Sequence, residues 1–398
     1  MSPASRVRQA SDESPDRVTR NLVVCLDGTS NEPETGRTNV ARLYAVAAKT
    51  EQQLVYYDPG VGTLGAPGAV TPLAKKATTV AGLVAGYGVS DNLEQAYTFL
   101  MQNYRHGDQI YAYGFSRGAY TARALTGMLR TVGLLRPGAE NLVPYARKLY
   151  TQAGKQQQSR NAAGATTSPE QTKQQQKYWK VRRDFAATFG NPAFPGGFDT
   201  SQRQVHFLGV WDTVKSIGWL NWKARWQEAR WPYTRKLENI GTARHAISID
   251  ERRRPFPSYR FAPAPENADQ KELWFAGVHS DVGGQYVDDH RLSDFAFTWM
   301  VDESRTAGLV VDEAAVRREL RGLHGDTKPD PTSVPKMHQN AKVWMLAGGW
   351  RRREVLPGDS VHPSVLDRIR ETADGPHPYR PRLPESVLHP ATTEQGAG

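Results

Sequence analysis

One cysteine in 398 residues, Cys25, rules out an intrachain disulfide and any zinc site built on cysteine. It stands inside "NLVVCLDG", where a small buried apolar residue fits, so packing is its expected role. Also missing is any apolar run approaching the roughly 18 residues that a membrane span requires. The opening stretch "MSPASRVRQASDESPDRVTR" has no apolar core of the kind a secretory signal needs. These absences predict a soluble protein made in the cytoplasm, with export by a signal-independent machine as the open alternative. Nucleic-acid-reading motifs are absent too. The net charge is +10 and the isoelectric point about 9.5, but the clusters "ERRRP" and "WRRRE" are short and far apart. The basic excess reads as a solvated surface able to touch an anionic membrane peripherally, and no nucleic-acid partner is expected.

What is present is a globular composition, 38% hydrophobic and 23% charged, over a length that allows one large α/β domain or two ordinary ones. The patterning favours one. Residues 1–19 read as a disordered leader, and residues 20–355 as a single domain. "NLVVCLD", "QQLVYYDPG" and "QIYAYGF" are short apolar runs ended by turn residues, the mark of buried strands. "SDNLEQAYTFLMQNY" and "AYTARALTGMLRTVG" carry helical spacing between and after them. The pattern resumes at "QVHFLGVWDTV" and "ELWFAGVHSDVGG". Strand and helix in alternation predict an α/β fold with a mostly parallel central sheet and helices on both faces.

Two insertions interrupt it. Residues 154–177 are Gln-, Lys- and Ala-rich and are expected to be a mobile loop. In residues 215–240, Trp219, Trp222 and Trp226 would share one helix face among Lys and Arg. Packing is the ordinary reading of such a stripe; a lipid-contacting cap is the alternative. The Pro-rich residues 356–398 are expected to wrap the domain, with a disordered end.

"GFSRG", residues 114–118, matches G-x-S-x-G, in which a sharp strand-to-helix turn lifts a serine hydroxyl above the sheet edge. With 35 glycines in the chain, chance placement yields about 0.15 such pentads, so the apolar run before it and the helical pattern after it carry the weight. Gly114 and Gly118 are needed because strand and helix approach too closely for a side chain. Serine requires a base, and the base an acid, in the chain order Ser, Asp or Glu, His. Asp212 and His279 each end an apolar run and suit these roles. His106, His290, His324 and His338 lie in polar stretches and read as solvated loop residues; His206, within a run, reads as structural. Asp281 is expected to pin the "SDVGG" loop. The oxyanion needs two amides: that of Arg117, and that of Gly28 or Thr29, with Asp27 shaping the loop. The Arg117 side chain is expected to pair with Asp27 or Asp281.

"CLDGTSNEP", "TNVARLY", "YYDPGVGT", "GDQIYAYGFSRGAYTARAL", "GVWDTV", "WFAGVHSDVGG", "VHPSVLDRI" and "YRPRLP" resemble, in that order, the catalytic domain of a family of α/β hydrolases once labelled a domain of unknown function. That family includes type VI secretion phospholipase effectors of the first lipase class. The resemblance implies an α/β-hydrolase fold and a triad falling on Ser116, Asp212 and His279. It also implies a phospholipase or related carboxylester hydrolase that needs no metal or organic cofactor. Two alternatives stay open: an esterase or thioesterase with a soluble substrate, and a non-catalytic hydrolase-fold module that binds an anionic partner. The oligomeric state is not legible.

Overall fold

The computed structural model describes residues 19–28, 37–60, 89–162, 169–196, 203–214, 231–263, 265, 268–321, 333–340 and 349–388, and the structural statements below concern these. In chain order the elements begin with β1 (Asn21–Leu26), α1 (Asn39–Val46), β2 (Gln53–Asp58), α2 (Val89–Asn103), β3 (Gln109–Phe115) and α3 (Arg117–Val132). There follow α4 (Val143–Ala162), α5 (Pro169–Phe189), β4 (Val205–Trp211), β5 (Ile240–Ser248), β6 (Asp269–Phe275) and α6 (His279–Gly283). The chain continues through α7 (Arg291–Thr306), α8 (Glu313–Arg321), β7 (Ser360–Val361), α9 (Pro363–Glu371) and α10 (Glu385–Leu388).

The seven strands form one sheet in the order β2-β1-β3-β4-β5-β6-β7, and every pairing is parallel. Period-two alternation divides β1 between two cores. Leu22, Val24 and Leu26 pack with α2, α3 and α4 on one face; Val23 and Cys25 pack with α1, α7 and α8 on the other. Burial on both faces is why β1, β3 and β4 read as unbroken apolar runs. The strand order turns back at β1, with β2 on one side and β3 on the other, so the carboxyl ends of β1 and β3 flank a topological switch point, the usual ligand crevice of such sheets.

The structure changes one expectation and adds two features. Residues 154–177 are not a mobile loop where they are described: α4 and α5 cover 154–162 and 169–177, because Gln, Lys and Ala are good helix formers once Val143, Ala146, Leu149 and Tyr150 dock the first turns on the core. A strand, β5, stands between the last two apolar runs. Its Arg244 and His245 break the hydrophobic pattern, yet they are paired, Arg244 with Asp269 and Glu303 and His245 with Glu272. Finally, the C-terminal segment supplies β7 and α9, and its Val355, Val365 and Tyr379 form a third core with Ile247, Ile249, Trp274 and Ala276.

Candidate active site

Three strand ends meet at one edge of the sheet. Ser116 caps α3 directly after β3 with φ 57° and ψ −120°, and Asp212 follows β4 with φ 36°. Non-glycine residues at positive φ cost roughly 1–3 kcal/mol each and persist only where their surroundings force them. Among the described residues only four do so, and these are two of them. The surroundings here are backbone hydrogen bonds: Ser116 N–H donates to the Trp211 carbonyl (3.1 Å) and Asp212 N–H to that of Ala246 (2.7 Å). His279 opens α6 beyond β6. Ser116 Oγ lies 2.8 Å from His279 Nε2, and His279 Nδ1 lies 2.5 Å from Asp212 Oδ2.

All three residues are buried. Burial alone would raise the Asp212 carboxyl, but the Arg353 guanidinium and His279 outweigh it and hold the group well below the usual carboxylate range. The carboxylate also accepts from the Ser248 amide (3.0 Å) and hydroxyl (3.1 Å). For His279, burial lowers the pKa below the ordinary 6.5 even though Asp212 pulls it upward. The rings of Phe115 (centroids 4.6 Å apart) and Phe256 (5.4 Å, edge-on) pack against the imidazole. A neutral imidazole that donates from Nδ1 to Asp212 turns the Nε2 lone pair to the serine hydroxyl, an arrangement able to accept its proton.

Against this geometry stand the relatives. A family model described as "T6SS, Phospholipase effector Tle1-like, catalytic domain" matches residues 20–303. The chain belongs to this family. The uncharacterized Saccharomyces cerevisiae protein YEL023C is 30% identical over 255 residues, 62% of this chain, and the chain spans only 33% of that relative's length. Two solved structures are similar more remotely. An uncharacterized Pseudomonas aeruginosa protein shares 18% identity at a TM-score of 0.39, over 77% of this chain and 47% of that one. A Tle1 effector bound to the VgrG spike of the type 6 secretion system shares 15% at 0.30, over 68% and 51%.

The other expected site residues divide. Gly114 and Gly118 stand where α3 presses on the sheet: a Cβ on Gly114 would lie 2.4 Å from the Gly118 carbonyl. Asp27 is buried and accepts from Thr38 Oγ1 (2.5 Å) and the Tyr57 hydroxyl (2.8 Å), tying the β1 end to α1 and β2. It also accepts from the Gly28 amide at 2.6 Å. The amide expected as an oxyanion donor thus bonds the carboxylate expected to shape its loop. Gly28 also provides room, since its Cβ would stand 3.3 Å from Ser116 Cβ. Arg117 is buried, which pulls its guanidinium down to about 10. Asp281 accepts from the Val278 amide (3.0 Å), and its ion-pair partner is His338 (2.6 Å). His338 is therefore no solvated loop residue: it joins Asp281 to Asp288 and stacks on Tyr286 at 3.6 Å. Thr29, Trp219, Trp222 and Trp226 lie outside the described residues.

Sequence reasoning missed Ser248, Phe256 and Arg353. The first two carry no motif. Arg353 belongs to "WRRRE", read as solvated basic surface, whereas its side chain is 4% exposed. Among the described residues no group of three or more His, Cys, Asp or Glu is placed to hold a metal ion, and no helix is long and apolar enough to cross a membrane.

Proposed function

We propose that this chain is a serine hydrolase that cleaves the carboxylic esters of phospholipids through Ser116, His279 and Asp212 by way of an acyl-enzyme. The observation that carries the reading is the unbroken relay from Ser116 Oγ through the imidazole to Asp212, 2.8 Å and 2.5 Å long. Ser116 Oγ attacks the ester carbonyl while His279 Nε2 takes its proton and Asp212 stabilises the imidazolium. The oxyanion is held by the Arg117 amide at the head of α3, with the Gly28 or Thr29 amide as second donor. His279 returns the proton to the leaving alcohol, then activates a water that releases the fatty acid. No cofactor enters the scheme. Family membership supports phospholipid over other esters. Trp219, Trp222 and Trp226, with the basic surface, are the candidates for contact with an anionic membrane, and delivery by a signal-independent secretion machine fits the family.

The test combines fluorophosphonate labelling with product analysis on a defined phospholipid mixture. Ser116→Ala is expected to lose labelling and fatty-acid release together. Labelling that survives in that variant overturns the nucleophile. Turnover of p-nitrophenyl butyrate with none on phospholipid vesicles or micelles moves the substrate to soluble esters.

A further inference from the structure

Asp212 is gripped from two sides. Opposite His279 the Arg353 guanidinium closes on the same carboxylate, Nη1 at 2.5 Å from Oδ1 and Nη2 at 3.1 Å from Oδ2. Three further contacts fix this fork: Nη1 donates to the Ser248 carbonyl (3.0 Å) and hydroxyl (2.7 Å), and Nη2 to the Phe256 carbonyl (2.9 Å). Phe256 is also the residue whose ring edges the imidazole. Residue 353 lies beyond the stretch matched by the family model, so a segment outside that stretch reaches the acid of the site. A guanidinium is planar and permanently charged. Bound through two nitrogens, it sets the rotation of a carboxylate as well as offsetting its charge.

We propose that Arg353 is a positioning residue for the hydrolysis: paired with both oxygens of Asp212, it locks the carboxylate toward His279 and offsets much of its negative charge, so that the imidazole works with a weakened anion behind it. The inference rests on the triad reading above. A carboxylate already neutralised by a cation favours an imidazolium less than a bare one does. His279 therefore keeps its free-base form to lower pH than a Ser-His-Asp relay without the arginine.

The other charged groups around the pair are matched among themselves. Glu251, after β5, accepts from the His279 amide (3.3 Å) and is paired with Arg253. Asp281, on α6 itself, is paired with His338. His245, on β5, is paired with Glu272 and held neutral by burial. Ser116 and Ser248 carry no charge. Arg353 is the cation in direct contact with Asp212 among the described residues.

A purely structural tie between the C-terminal segment and the sheet would lower stability, and activity equally at every pH. The proposal instead moves the pH profile. Removing the positive charge raises the pKa of His279, so the acidic limb of kcat/KM shifts to higher pH. The experiment measures kcat/KM for p-nitrophenyl butyrate from pH 4 to 9, and the NMR titration of the His279 ring, in wild type, Arg353→Gln, Arg353→Lys and Ser116→Ala. Arg353→Gln is expected to displace the limb and the ring titration upward by about one pH unit. Arg353→Lys keeps the charge and loses the fork, so its limb should stay near wild type while kcat falls about tenfold. An unmoved limb in Arg353→Gln overturns the proposal. If the Gln variant does not fold, Arg353→Lys decides: a ring titration displaced upward, or an unchanged kcat, overturns it. Residual turnover in Ser116→Ala defeats the triad reading instead, which keeps the two failures apart.

Discussion

Gly118, in the first turn of α3, lies so close to Leu26 at the end of β1 that a Cβ on it would stand 2.1 Å from the Leu26 carbonyl oxygen and 2.5 Å from that of Asp27. Both obstacles are backbone and cannot rotate away. Gly118→Ala must push α3 off the sheet, and Ser116 two residues earlier moves with it. Overpacking of this kind costs about 1–3 kcal/mol. Urea unfolding should show a lower midpoint and ester turnover should fall with it; an unchanged midpoint together with full activity contradicts the close approach.

Asp212→Asn should impair the protein twice. The amide no longer holds His279 in the tautomer that faces Ser116, and kcat is expected to drop by about 10³–10⁴. It also leaves the buried Arg353 charge without its counterion, a loss of about 3–5 kcal/mol for a broken buried pair. Thermal unfolding and steady-state kinetics read the two effects separately. Full activity in this variant would transfer the acid role to another carboxylate.

The Phe256 ring stands edge-on to the His279 imidazole, 5.4 Å between centroids. With burial holding the pKa of His279 below 6.5, wild-type kcat/KM should fall only as pH drops through that lowered value, since the free base is the active form. Phe256→Ala admits solvent, so the same loss should set in at higher pH, nearer 6.5. A pH–rate series on a soluble ester checks this, and an acidic limb that moves downward would contradict it.

Stability should fall with acidity through His245 and Glu272. Burial outweighs the attraction of Glu272 and lowers His245 from 6.5 to about 4. Glu272 is lowered from 4.5 to about 2, its bond and charge contact with His245 overcoming the effect of burial. Between pH 6.5 and about 4 the unfolded chain binds the extra proton at the histidine, and between 4.5 and about 2 at the glutamate. The folded state loses ground across both windows as pH falls. Tm measured against pH should decline below 6.5, and Glu272→Gln should flatten the lower window. A Tm that rises on acidification is the opposite sign.

Strands buried on both faces were legible because nothing polar interrupts them, as in "NLVVCL" and "FLGVW". β5 was not, since Arg244 and His245 sit in its middle and their partners come from β6 and α7. The helices over 154–162 and 169–177 were masked by a composition that suits exposed helix as well as loop. Ser116, Asp212 and His279 could be chosen because each ends an apolar run, and parallel strands bring their carboxyl ends to one edge. The bond from the Gly28 amide to the Asp27 carboxylate had no counterpart in pattern, because it depends on where a side chain points.

By itself the sequence determined the α/β sheet and which reactive side chains stand at its carboxyl edge, because hydrophobic periodicity and glycine placement are local properties of the chain. Only the tertiary structure decided that Arg353, 141 residues from Asp212, closes on its carboxylate, and that His338 pairs with Asp281 instead of facing solvent. A charge can be buried only where its counterion arrives. Which arginine out of a basic cluster finds a carboxylate depends on the path of the whole chain, and no short stretch of sequence records that path.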